Sequence, residues 1–401
     1  MSRSPIGTIE FVALFSLLTA VTAASIDTML PALGTIGEDL GIANPNDAQL
    51  VVSMFVLGMV FGDLFYGPVS DAHGRKNAIF FGLAIYAIGA VIAALAPSMP
   101  VLLAGRIIQG IGASGPKIAA RALIRDQYDG NDLSRMMSLI MMVFILVPML
   151  GPALGQLILA FGDWRMIFIA FVVLAVVNTA WLALRQPETL TDEKRIPLRI
   201  GLLVRNGWLI LRHPAVMAYI LATGFVFGGM LVYVGTSQAI FHELYGAGNL
   251  FALYFAILAL GIGIASFTNS RLVMRVGSHR MAVVGFTCMV SCAILLLVAG
   301  WMSAGVPPFP VFMVLAFGEL FSFGILFGNV NALAMHALGR VAGIGASILS
   351  SISSLVAVVM ATVIGRFYDG TIMPLAYGFL IAGALSLVLV ILAHRSRAGP
   401  I

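Results

Sequence analysis

GDLFYGPVSDAHGRKNAIFFG, residues 62–82, decides how this chain is read. Asp63, Asp71, His73, Arg75 and Lys76 crowd into it, while QLVVSMFVLGMVF (49–61) and GLAIYAIGAVIAALA (82–96) flank it with almost nothing polar. A knot of charge between two such runs is the pattern of a short turn joining two membrane-crossing helices. Gly67 permits close helix approach, Pro68 distorts a helix end, and Gly74 can take the positive φ that a tight turn demands. Asp71 can cap a helix start or pair with a mobile neighbour, so the turn can latch one bundle of helices to another.

Working outward, the 401 residues are 60% hydrophobic and 10% charged, with a mean hydropathy of +1.04. That leaves too little polar surface to clothe a soluble globule of this size. Runs of about twenty apolar residues cross the hydrocarbon core as helices, and their continuity, without alternation, argues against a barrel. The spans predicted are 9–33, 48–69, 77–96, 100–123, 134–160, 164–184, 214–241, 249–272, 280–302, 308–332, 341–366 and 372–394. The fold class is thus all-α integral membrane with twelve transmembrane helices. The first run follows one basic residue, Arg3, and ends in MLPALGTIGEDL without a clear small-residue cleavage site, so it reads as a retained helix and not a removed signal peptide.

The net charge of +5 suggests a polyanion partner only until the basic residues are placed. With a cytoplasmic N-terminus, all of the 22 Lys and Arg except Arg106, Lys117, Arg165 and Arg366 fall in or beside cytoplasmic segments. The opposite loops hold Glu38, Asp39, Asp47, Asp163, Glu243 and Asp369. This positive-inside pattern accounts for the basic balance without nucleic acid and puts both termini in the cytoplasm. Cys288 and Cys292 lie one helical turn apart, either a redox or soft-metal pair or, as small hydrophobes, packing residues. The six His are scattered, so no metal site is expected.

RQPETLTDEKRIPLRIGLLVRNGWLILRHP (185–214) is the longest polar stretch and divides the helices six and six. The expected organisation is a first bundle over 1–184, a cytoplasmic linker over 185–213 and a second bundle over 214–401. Within the linker, Ile200, Leu203, Val204, Trp208 and Leu211 share a helical face, with Arg199, Arg205 and Arg212 suited to lipid phosphates; the alternatives are an interfacial helix or a disordered connector. An offset near 203 lays LVMRVGSHRMAVVGF (272–286) on VSDAHGRKNAIFFGL (69–83), Gly277 on Gly74. A duplicated six-helix unit predicts that recurrence.

D-x3-GP-x2-D-x2-GRK at Asp63–Lys76 resembles the loop motif of the major facilitator superfamily, in particular of its drug:proton antiporters. RIIQGIGASGPKIAARALIRD (106–126) is similar to that family's R-x2-Q-G-x-G helix. SRMMSLIMMVFILVPMLGPALGQ (134–156) is similar to its antiporter helix, with Gly151, Pro152 and Gly155 as the GP-x2-G core. SRMMS, W-R-x-I-F at Trp164–Phe168 and PETL (187–190) most resemble the bicyclomycin-resistance subfamily. Two departures stand out: Ala72 where members often carry Arg, which implies either a weaker latch or one that uses Arg75 instead, and Gln156 where a second Gly is usual.

Charge at membrane depth costs about 2.5–3.5 kcal/mol on insertion scales, so each instance needs a reason. Asp27, in SIDTMLPAL, and Arg106, running the opposite way from the outer end of its helix, come to similar depth. Desolvation favours the neutral acid and a guanidinium the anion, and tipping that balance ties protonation to conformation. Asp27 is therefore the expected proton-binding carboxyl; the competing reading is a permanent Asp27–Arg106 pair that serves packing. Subfamily members carry an acid before an L-P pair here, and the resemblance gives Arg106 a coupling role.

Arg106, Gln109, Ala113 and Lys117 follow 3.6-residue spacing, so one face of that helix is polar and lines a water-filled cavity between the halves; Lys117 has the alternative of snorkelling to the interface. Glu319 is the second deep acid: a substrate-cation site, a second proton site, or a protonated group bonding a neighbouring helix. Asn329 and Asn331 read as bonders between helices, and Glu10 as interfacial. Gly151, Pro152, Gly155 and the small residues of GIGASILSSISS (343–354) suit bundles that bend and slide.

The resemblance implies two pseudo-symmetric bundles that rock, and export of small amphipathic compounds in exchange for protons by a monomer in the bacterial inner membrane. No cofactor is expected: the chain lacks GxxxxGK[ST], and the proton is the coupling ion. A dedicated exporter of an amino acid, sugar or siderophore would look much the same, a ligand sensor of the same fold is a further alternative, and an intramembrane enzyme lacks both a metal cluster and G-x-S-x-G.

Overall fold

Large apolar side chains such as Phe65, Leu157, Val314 and Val359 are exposed in the isolated chain, whereas Asp63, Arg106 and Glu319 are fully buried. That inversion is what a lipid solvent requires. The computed structural model describes residues 6–191, 193, 195, 200–338 and 342–395, and among these every regular element is helical. Arg3 lies outside the described residues. Contacts divide the chain into two compact units, one comprising Met1–Ile42 and Met54–Ile200, the other Ala43–Ser53 and Gly201–Ile401.

The first unit contains α1 (Thr8–Asp27), α2 (Leu33–Asp39), most of α3 (Leu50–His73), α4 (Arg75–Ala94), α5 (Met99–Gln127), α6 (Gly130–Phe161) and α7 (Arg165–Arg185). The predicted first span is broken. α1 stops at Asp27, a 3-10 turn over Leu30–Ala32 follows, and α2 resumes the path. Pro31, with no N–H to give the preceding turn, is the cause. α3 runs through Gly67 and Pro68 to His73, so Pro68 does not end it. Gly74 then turns the chain at φ 101°.

α5 is the least apolar long helix because Arg106, Lys117, Arg121 and Arg125 interrupt it. Among the described residues eleven other helical stretches are long and apolar enough to cross a membrane. α5 joins them through glycines. A Cβ on Gly110 would collide with the Phe55 carbonyl of α3, and one on Gly112 with the Tyr86 amide of α4. The Q-G-x-G glycines thus bring three backbones together where a side chain would hold them apart.

The second unit contains α8 (Ile200–Arg212), α9 (Pro214–Ala239), α10 (Phe251–Val276), α11 (Ser278–Met302), α12 (Phe309–Leu338), α13 (Ala342–Gly365) and α14 (Met373–Arg395). Gly277, between α10 and α11, has φ 87° and ψ 147° against 101° and 151° for Gly74. The offset noticed in the sequence is a repeated backbone turn. Residues 43–53, between α2 and α3, group with this unit although they precede the linker. Asn46 Nδ2 donates to the carbonyls of Arg366 at 3.2 Å and Tyr368 at 2.7 Å, and Arg366 Nε lies 3.5 Å from Asp47.

The linker does form a helix. In α8, Val204, Trp208 and Leu211 are exposed, Ile210 is buried, and Arg212 lies over the Trp208 ring at 4.5 Å. Bare apolar side chains beside Arg205 and Arg212 suit a membrane surface. Arg199 lies outside the described residues.

Candidate functional site

Asp27 is the last residue of α1, where helical hydrogen bonding gives out before Pro31. It is 6% exposed. α6 presses on it with the glycines singled out by sequence. A Cβ on Gly151 would sit 2.6 Å from Asp27 Cβ, and one on Gly155 would run into the Thr28 carbonyl and, at 3.1 Å, Pro31 Cγ. Pro148 and Pro152 sit within the same helix without ending it. The GP-x2-G core is therefore the surface against which the broken end of α1 is seated.

No ion pair or hydrogen bond to the Asp27 carboxyl exists among the described residues. Arg106, fully buried on α5, donates instead to the Ser25 carbonyl at 2.9 Å and to Gln109 Oε1 at 2.6 Å. Its guanidinium also lies 4.4 Å from the centre of the Phe55 ring and 5.8 Å from that of Phe168. Residues two apart do not share a helix face, so a group that reaches Ser25 is not thereby aligned with Asp27. The permanent pair weighed above is absent in this conformation.

Two residues the sequence reading passed over complete the cluster. Ser25 Oγ and the buried Tyr86 hydroxyl are 2.6 Å apart, and the buried Gln109 completes the group. Ser25 could have been found from its place two residues before Asp27. Tyr86 could not, because one hydroxyl in an apolar run carries no periodic signal.

Lys117 is tied to an acid of the neighbouring helix α3. Its Nζ donates to Asp63 Oδ2 at 2.6 Å, and Ser114 Oγ donates to Asp63 Oδ1 at 2.7 Å. Asp63 is wholly buried and Lys117 about one-fifth exposed. Ala113 is buried between this pair and Arg106. Asp63 lies two helical turns, about 12 Å, before Asp71, so the structure moves it from the charged turn into the helix interior.

The turn itself is built around Arg75. Its guanidinium pairs with Asp71, meets Asp126 Oδ2 at 3.1 Å and reaches Ser70 Oγ at 3.1 Å. The start of α4 is capped from the linker: Glu188 accepts from the amides of Arg75 at 3.1 Å and Lys76 at 3.0 Å, and also from those of Thr189 and Leu190. Four N–H groups converge on one carboxylate at a helix N-terminus, where negative charge is favoured. Lys76 Nζ donates to the Ala183 carbonyl at 3.1 Å, and Thr189 Oγ1 to Asp126 at 3.1 Å. The PETL segment is thus a strap over the turn, and Asp71 pairs with Arg75 while Glu188 does the capping.

At the opposite end of the same unit, Trp164 Nε1 and Arg165 donate to Asp39 Oδ2 at 3.1 and 2.8 Å, which is what the W-R pair of the motif does here. Glu10 bonds Arg185 at 2.6 Å and Trp181 at 3.1 Å. In the second unit Asn329 donates to Asn269 at 2.6 Å, tying α12 to α10, and Asn331 is exposed. Glu319 is fully buried there. Cys288 and Cys292 are free thiols, and no group of three metal-ligating side chains occurs among the described residues.

Chemically, the first unit offers a buried carboxyl with no ion-pair partner among the described residues, at a helix break two residues after the carbonyl that a buried guanidinium grips. Such a carboxyl can change its ionisation without first breaking a salt bridge. Comparison with known proteins fits a membrane carrier. Residues 15–361 match the family model described as Major Facilitator Superfamily. A "Bicyclomycin resistance protein homolog" of Haemophilus influenzae is 29% identical over 92% of both chains. "Multidrug resistance protein MdtL" of Escherichia coli is 28% identical over 83% of this chain and 82% of that one. The crystal structure of a D-xylose-proton symporter superposes with a TM-score of 0.76, covering 98% of each chain at 16% identity, a likeness of fold alone.

Proposed function

The chain belongs to the Major Facilitator Superfamily, a family of multi-pass membrane transporters and not of enzymes, and on that premise we propose that it is a proton-coupled antiporter exporting small amphipathic, drug-type compounds. The observation that carries this is Asp27, buried, unpaired and seated on Gly151 and Gly155. The printed names of the relatives, a bicyclomycin resistance homolog and a multidrug resistance protein, support the substrate class.

In this reading the proton on Asp27 keeps the carboxyl neutral while α1 rests against α6. Loss of the proton leaves an anion that is unstable where it sits and is drawn toward Arg106, whose charge is held nearby by Ser25 and Gln109. Moving the end of α1 disturbs the Gly151–Gly155 contact and so links ionisation to helix position. The Asp71–Arg75–Asp126 cluster, strapped by Glu188, acts as the latch that opens as access alternates. The protein works as a monomer in the bacterial inner membrane, needs no bound cofactor, and has both termini in the cytoplasm, the placement its basic residues favour.

A growth screen of a drug-sensitive strain expressing the chain supplies the compounds. Binding of one that protects should release a proton near neutral pH from purified protein, read with a pH indicator dye. A release of the same size from Asp27→Asn would remove this carboxyl from the mechanism.

A further inference from the structure

Glu319 is the buried acid that the reading above leaves unused. It lies in the middle of α12, is 0% exposed, and among the described residues neither of its oxygens has a hydrogen-bond partner. Such a state is costly, most of all for an ionised carboxylate, and even a neutral one forfeits hydrogen bonds it would make in water. Buried polar groups without partners are rare enough in native proteins to need a reason.

The described groups of this unit that face it are thiols, a hydroxyl and aromatic rings. From α11 come the thiols of Cys288 and Cys292. Ser322, one turn along α12, donates its hydroxyl to the Gly318 carbonyl at 2.8 Å, and a Cβ on Gly318 would sit 2.6 Å from Cys292 Sγ. On α9 the titratable group at this level is Tyr233, stacked on Phe255 of α10 with ring centres 5.6 Å apart. Ala342–Gly365 of α13 contains no titratable residue. α10 meets this level at Gly261, which packs on Phe317 and Phe321, about 15 Å along the helix from Arg271. On α11, Arg280 is about 18 Å along the helix from Cys292.

Within this unit, the described elements packed on α12 bring no positive side chain to Glu319, which is buried there without a counter-charge. We propose that Glu319 is a second proton-binding site, housed in the second unit and separate from Asp27, loaded in this conformation and emptied when α11 and α12 part to admit water. Small residues where α11 meets α12, Cys288 and Cys292 on one side and Gly318 on the other, give those two helices a contact that can loosen. Its bearing on transport rests on the antiporter reading: with Asp27 carrying one proton, each turnover moves two.

The first test needs no transport. Infrared difference spectra of the full chain in liposomes should contain the C=O stretch of a carboxylic acid free of hydrogen bonds, present in Asp27→Asn and lost in Glu319→Gln. If Glu319→Gln removes carboxylate bands instead, the group is ionised and the proposal falls, whatever the chain transports. The second test counts protons exchanged per ethidium in proteoliposomes. Glu319→Gln, a neutral isostere, should fold normally and halve the ratio, with Glu319→Asp restoring it; an unchanged ratio overturns the second site. Wild-type protein that exchanges no protons at all sinks both the antiporter reading and the two-proton count, while the infrared result still decides the state of Glu319.

Discussion

Gln109 and Glu319 each sit eleventh in their helices, α5 of the first unit and α12 of the second. The first is tied into a cluster in which Arg106, Ser25 and Tyr86 exchange hydrogen bonds. The second lies near two thiols and has no hydrogen-bond partner among the described residues. A repeated backbone, with matching turns at Gly74 and Gly277, therefore holds two unlike sites: one where a buried cation is tied into hydrogen bonds, one where a buried acid has no hydrogen-bond partner among the described residues. The scaffold sets depth and orientation, and the side chains facing in from α4 and α11 set the chemistry.

That contrast can be broken most forcefully through the glycines. Gly155→Val sets a branched side chain against the Thr28 carbonyl and Pro31, and should cost roughly 3 kcal/mol, seen as a large drop in melting temperature or loss of monodisperse protein. Gly224→Val in the second unit meets only side-chain atoms of Val356 at 2.8 and 3.0 Å and the Ser353 Cα at 3.2 Å, and should cost about half as much. Equal losses would mean that the end of α1 is not specially seated.

Next in size is Asp63→Asn. It leaves Lys117 without its carboxylate in a largely buried place, for a loss of about 2 kcal/mol after allowing for the exposed part of the lysine. Adding Lys117→Met should recover most of it, a coupling that a thermal-melt double-mutant cycle reads directly. Tyr86→Phe removes one hydrogen bond to Ser25 and should cost about 1 kcal/mol, against a change near zero for Glu319→Gln, which has no bond to lose. Smaller still is Glu188→Ala, at about 1 kcal/mol or less, best seen as faster amide hydrogen exchange at Arg75, Lys76, Thr189 and Leu190. If those four amides keep their protection, the linker strap is not what caps α4.

The sequence made the twelve helices legible because lipid imposes length and continuity on any chain that crosses it. Asp27 and Arg106 stood out for the same reason, as charges where charge is costly. What stayed hidden were partners far apart in the chain. Glu188 reaches across from the linker to the start of α4, and a carboxylate in a polar stretch looks like any other until the fold brings the amides to it. Asp63 was grouped with the turn because it begins the motif, yet two turns of helix carry it inward to Lys117. The break at Pro31 was signalled by the proline itself, but its consequence, a carboxyl at a helix end against two glycines, depended on knowing that α6 packs there. The grouping of residues 43–53 with the second unit rests on bonds from Asn46 to backbone carbonyls of Arg366 and Tyr368, which no local pattern announces.

The central claim is that ionisation of Asp27 drives exchange. Purified protein should be reconstituted into liposomes, a pH step imposed across them, and the movement of a compound from the growth screen followed in wild type and in Asp27→Asn of equal melting temperature. The account predicts uphill movement that follows the size and sign of the pH step in wild type and none in Asp27→Asn. Uphill movement of equal rate in both proteins would contradict it.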